Sequence, residues 1–237
     1  MSKRKTKLDH VELLNVPCYR QGTFDSLCAY YTGAMMLSAL FPEYGTQFGE
    51  AARQRTTKNV SDDPLVKHHP NNKDDRLALA RWFYMGEWIE TVTKILNNIM
   101  EADGINTTFE CQKKGAHPST FSKTIAGSID LGLPVMLGWA TEDYGDHAAL
   151  VTGYWEGAEK WLILNDPGGM TEISWDSLKS QKKGKLDIGL CKPSTFHGAR
   201  PMKWTSSRGV LQWTPKLGRP GESEYMELDR LFSAESS

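Results

Sequence analysis

Gln21-Gly22-Thr23-Phe24-Asp25-Ser26-Leu27-Cys28-Ala29-Tyr30-Tyr31 is the stretch on which the reading of this chain turns. Gly22 breaks what precedes it, Asp25 and Ser26 are residues of the helix N-cap type, and a crowded apolar run follows. That run holds Leu27, Tyr30, Tyr31, Ala34, Met35 and the segment from Leu37 to Leu40, and Phe41-Pro42 stops it. The pattern predicts a buried central helix from about Asp25 to Leu40, with Cys28 in its first turn. A thiol attacks a carbonyl only as thiolate. The aligned peptide dipoles at a helix start favour that anion, and the unpaired N–H groups there can donate to a developing oxyanion. Cys28 is therefore the candidate nucleophile. Gln21 is the candidate second oxyanion donor, provided the loop from Gly22 to Ser26 folds back over the helix start.

A cysteine nucleophile needs a base, and His147 is the candidate. It stands after the polar stretch Glu142-Asp143-Tyr144-Gly145-Asp146 and at the entry of the apolar run Ala148 to Tyr154. That run, Pro134 to Trp139 and Lys160 to Asn165 are short, branched and aromatic, which predicts three strands of an antiparallel sheet with a hairpin turn at Glu156-Gly157. Antiparallel pairing across that turn brings Asn165-Asp166-Pro167 alongside His147. Adjacent strand residues face opposite ways, so one of Asn165 and Asp166, not both, can orient the imidazole. Trp139 and Tyr144 are candidates for a substrate wall.

Outward from these blocks the signals weaken. Residues 76–102 read as one or two helices with a break at Gly86. Thr107 to Cys111 reads as a strand, Pro118 to Leu131 as a helix closed by Gly132, and Ile173 to Leu178 as a strand end and a short helix. The 237 residues suit one domain with an appended tail, here 1–192 and 193–237. The tail carries Trp204, Leu211, Trp213, Tyr225, Leu228, Leu231 and Phe232, so it either packs on the core or docks a partner. With 28 basic and 29 acidic residues the net charge is -1, and no basic field points to nucleic acid or an anionic membrane. No apolar run approaches the roughly 20 residues that cross a bilayer, and the N-terminus lacks a signal-peptide core. Cys18, Cys28, Cys111 and Cys191 form neither a CxxC pair nor a zinc pattern, which points to the cytoplasm and calls for no metal or cofactor.

The opening stretch resembles the Gln-Gly-x-x-Asp-Gly-Leu-Cys-Gly-x-Tyr block of bacterial papain-like cysteine peptidases. Gly132-Leu133-Pro134-Val135, His147-Ala148-Ala149-Leu150-Val151-Thr152-Gly153-Tyr154 and Asn165-Asp166-Pro167 are similar, in the same order, to the blocks of their bacteriocin-leader-processing branch. The chain departs from the opening block at Ser26 and Ala29. The resemblance implies an α+β, papain-like fold. Its N-terminal helical half would carry the cysteine on a central helix, and its C-terminal antiparallel sheet would carry the histidine and the acid. It also implies Gln21 as oxyanion residue, Cys28 as nucleophile, His147 as base and Asp166 as the orienting acid, with Asn165 left beside the substrate.

The function expected is hydrolysis of peptide or isopeptide bonds in a protein or peptide, such as a leader peptide or a ubiquitin-like modifier with a glycine-rich tail. Two other readings use the same features: capture of the acyl-enzyme by an amine in an acyltransferase or deamidase, and a binding module that keeps the fold without the chemistry.

Overall fold

The computed structural model describes residues 10–19, 27–45, 63–70, 88–113, 118–141, 145–156, 160–179, 186–198, 200–207 and 210–214. Helix α1 (Cys28–Leu40) begins at the cysteine itself. Leu27 takes the N-cap position with no side-chain cap, and Asp25 and Ser26 lie outside the described residues. From Ala29 onward every residue of α1 is buried. A helix apolar on all sides belongs inside a core rather than on its surface. After the short α2 (Pro64–Lys67) comes α3 (Ile89–Ala102). It buries Ile89, Val92, Thr93, Leu96, Ile99 and Met100 at helical spacing, while Glu90 and Lys94 form an exposed i,i+4 ion pair at 2.9 Å. The expected helix over 76–102 is thus described from Ile89 onward.

Strand β1 (His10–Leu14) comes before α1. After α3 come β2 (Phe109–Lys113), helix α4 (Pro118–Asp130), β3 (Val135–Thr141), β4 (Gly145–Glu156) and β5 (Lys160–Asn165). The remaining elements are β6 (Glu172–Ser174), the short α5 (Trp175–Lys179), β7 (Leu186–Cys191), β8 (Lys203–Ser207) and β9 (Val210–Thr214). Gly132 closes α4 at φ +77°, a conformation that costs glycine little. Among the described residues the nine strands join one antiparallel sheet in the order β2-β7-β3-β4-β1-β8-β9, with β5 pairing β4 and β6.

Strand β4 is the organising element, because it is long enough to serve three neighbours. One edge takes β3 along residues 145–151 and then β1 along 153–156, while the other edge takes β5. The β4–β5 register shifts between Val151 and Gly153, so Thr152 sits in a bulge of that ladder, level with the point where β1 replaces β3 on the opposite edge. The C-terminal segment enters this sheet: β8 pairs β1, and β9 pairs β8. Tyr225, Leu228, Leu231 and Phe232 lie outside the described residues. No described helix is long and apolar enough to cross a membrane.

Candidate active site

Cys28 is the first residue of α1 and is partly exposed, whereas the rest of the helix is sealed in the core. Burying Ala29 to Leu40 fixes the helix, so its N-terminus opens at a defined point. His147 is the third residue of β4 and pairs with Trp139 of β3. Opposed residues of an antiparallel pair share a face. Trp139 uses that position to set its ring edge-on to the imidazole, with centroids 4.8 Å apart and planes at 87°. The indole is itself 4% exposed, so the side chain expected to wall a substrate groove instead braces the histidine.

The ring is held from two further sides. Nε2 lies 2.8 Å from Asp166 Oδ1, and against a carboxylate that nitrogen carries the proton. The Cys28 thiol hydrogen-bonds the same ring, and Asp166 leaves Nδ1 for it. Burial pulls the imidazole pKa down, but the hydrogen bonds and charges of Asp166 and Cys28 outweigh it and raise the value to about 9. At neutral pH the ring is a cation between two acidic groups.

Asp166 is fixed in turn by its own loop. Gly168 N–H donates to Oδ1 at 2.7 Å, Met170 N–H donates to Oδ2 at 3.1 Å, and the Asp166 carbonyl accepts from Gly169 N–H at 3.0 Å. Gly169 stands at φ +99°, where a side chain would be strained. A Cβ on Gly168 would come within 3.3 Å of Asp166 Oδ1 and 3.4 Å of His147 Cε1. The run Asp166-Pro167-Gly168-Gly169 reads in sequence only as a turn. That its amides grip the carboxylate depends on the folded loop.

Asn165 does not approach the ring. It is 4% exposed, and its Nδ2 donates to the carbonyls of Val16 and Pro17 at 2.9 and 3.4 Å. It faces the protein's own chain, where a substrate-side contact was expected. Gln21 and Tyr144 lie outside the described residues. Of the other cysteines, Cys18 is exposed, while Cys111 and Cys191 have their thiol pKa pushed up to about 12, chiefly by burial.

A thiol at the mouth of a buried helix, meeting an imidazole from an antiparallel sheet, is the arrangement of the papain-like cysteine peptidases. The model of the Peptidase_C39 like family matches residues 13–183, well over half of the chain. The protein belongs to that family and is a cysteine peptidase. Among solved structures it is distantly similar to the Pseudomonas avirulence protein AvrPphB, at a TM-score of 0.29 and 14% identity over 70% of this chain and 90% of that one. No curated protein sequence matches it.

Proposed function

We propose that Cys28, His147 and Asp166 act as nucleophile, general base and orienting acid in the hydrolysis of peptide or isopeptide bonds, with Gln21 lending a second donor to the oxyanion. One observation supports this above all: a single imidazole is hydrogen-bonded to both the Cys28 thiol and the Asp166 carboxylate. Asp166 keeps the proton on Nε2, so Nδ1 is the nitrogen that takes the thiol proton. The thiolate attacks the amide carbonyl carbon, and the negative charge on the carbonyl oxygen rests on the Cys28 N–H at the start of α1 and on the Gln21 amide. The imidazolium returns its proton to the leaving nitrogen and the C–N bond breaks. Water, deprotonated by the now neutral ring, then cleaves the thioester and frees the carboxylate and Cys28.

The substrate is a protein or peptide with small residues at the scissile bond, as a leader peptide or a ubiquitin-like tail offers. This class follows from the resemblance of the opening and histidine blocks. Four free cysteines suit a reducing cytoplasm. Mass spectrometry of synthetic peptides incubated with the protein provides the test. Peptides with Gly-Gly at the cleavage point should gain one water and split, faster than peptides with bulky residues there, and the Cys28→Ala variant should be inert. Equal rates would sink the substrate class. An amine adduct in place of the free acid would make the enzyme a transferase, and cleavage by Cys28→Ala would sink the mechanism.

A further inference from the structure

We propose that Asn165 is a positioning residue whose side-chain amide straps the segment leading into Cys28 to the strand that ends beside Asp166. The proposal rests on the triad described above and adds a fourth group to it, one that touches neither substrate nor reacting atoms.

Asn165 closes β5, and its amide protons meet the carbonyls of Val16 and Pro17 at 2.9 and 3.4 Å. At 4% exposure it has no amide proton left to offer a ligand. Asp166 follows immediately and sends its carboxylate to His147 instead. The dipeptide is thus two-pronged: one side chain holds the base, and the other holds the arm between β1 and α1. The same arm is tied at both ends. Asn15 N–H donates to the Met202 carbonyl at 2.7 Å on the sheet side. On the helix side, the Tyr19 hydroxyl lies 3.0 Å from Ser38 Oγ of α1 and 3.5 Å from the Gly45 carbonyl. Asn165 is therefore where the arm crosses from the half that carries the imidazole to the half that carries the sulfur. Left without their donor, the buried Val16 carbonyl and the more exposed Pro17 carbonyl would draw the arm toward water. That would alter the spacing of sulfur and ring, on which proton transfer depends steeply.

The test is the pH profile of Cys28 alkylation by iodoacetamide in the full chain, with peptide mapping to separate Cys28 from the exposed Cys18. The wild type should label Cys28 well below pH 7, and His147→Ala should not. Asn165→Leu, folded by far-UV circular dichroism, should label Cys28 at least fivefold more slowly at pH 6, with its profile moved toward that of an ordinary thiol. Asn97→Leu is the control. It breaks a comparable side-chain tie at the α3–β2 junction, where Asn97 bonds the Phe109 backbone at 2.9 and 2.7 Å, and it should leave the profile in place. If Asn165→Leu does not fold, Asn165→Ser carries the same test with a fall of at least threefold. A profile for Asn165→Leu that superimposes on the wild type overturns the proposal, as does an equal shift in Asn97→Leu. A wild-type profile identical to that of His147→Ala is a different failure, that of the triad itself.

Discussion

Asp166 shows how much of this site is decided by single side chains. Its two oxygens accept from the His147 ring and from the Gly168 and Met170 amides, so the carboxylate cannot turn and neither can the imidazole it holds. Asp166→Asn keeps the shape but removes the charge that holds the ring cationic. Turnover should fall at least 100-fold with the fold intact, and the alkaline limb of the rate profile, set by loss of the imidazolium proton at about 9, should move down in pH. Steady-state kinetics across pH reads both effects. Gly168→Ala makes a subtler change. Contacts of 3.3 and 3.4 Å to the carboxylate and the ring force one of them to yield by a few tenths of an ångström. About a tenfold loss of kcat with less than 1 kcal/mol change in unfolding free energy is expected. A stability loss larger than that, with kcat unchanged, would show that the loop rather than the site takes up the strain.

At the level of elements, α1 packs tightly against α3. A Cβ on Gly33 would stand 2.6 Å from Val92 Cγ1, on a β-branched side chain with no freedom to move aside. Alanine gains roughly 1 kcal/mol over glycine in a helix, but overpacking a core costs about 1–3 kcal/mol. Gly33→Ala should therefore destabilise the protein by about 1–2 kcal/mol in urea unfolding, whereas the same change on an open helix surface would stabilise it. The elements readable in the sequence are α1 and the β3-β4-β5 strands, from their apolar runs, α3 from its helical periodicity, α4 from its Gly132 stop, and, more roughly, β2 and the β6-α5 segment. Strand β7 escaped because Leu186-Asp187-Ile188-Gly189-Leu190-Cys191 interrupts its apolar pattern with an acid and a glycine. Both have a role that exists only in the assembled sheet. Gly189 leaves room for Ile89 of α3, and a Cβ on Gly138 would collide with Asp187 across the β3–β7 ladder. Strands β1, β8 and β9 are five residues each and gain their order from pairing with one another and with β4, information that no local window holds.

For the molecule as a whole, buried titratable groups set the response to pH. Asp63 caps α2 through its bonds to the Leu65 and Val66 amides at 2.9 and 3.4 Å and also accepts from the Tyr30 hydroxyl of α1. Burial raises its pKa to about 6, against the lowering by those hydrogen bonds. A folded pKa above the unfolded value means that the native state holds the proton more tightly. Its contribution is complete below about pH 4 and is lost as pH rises through about 6, on the order of 2–3 kcal/mol. His147, raised from 6.5 to about 9, contributes below pH 6.5 and loses that contribution as pH rises through 9. Thermal unfolding of Asp63→Asn should accordingly show a flatter curve than the wild type between pH 4 and 6, and His147→Ala a flatter one between pH 6.5 and 9. Parallel curves would contradict both assignments.

The site itself was legible as far as residue type and order reach. Cys28 and His147 stand out because a helix start and a strand entry are local signals, whereas Asp166 is separated from Asn165 in the sequence only by the family resemblance; the ring contacts of His147 bring the three together. The direction of the Asn165 amide and the brace from Trp139 were not legible, because each depends on a partner more than a strand away or across a ladder. What the account most needs is that the Cys28 sulfur and the His147 ring share a proton in solution. Alkylation of Cys28 by iodoacetamide, followed from pH 4 to pH 10 in the wild type and in His147→Ala, measures this directly. The account predicts rapid labelling that persists well below the ordinary thiol pKa of about 8.5 and vanishes there without the imidazole. A single limb near pH 8.5, the same in both proteins, would contradict it.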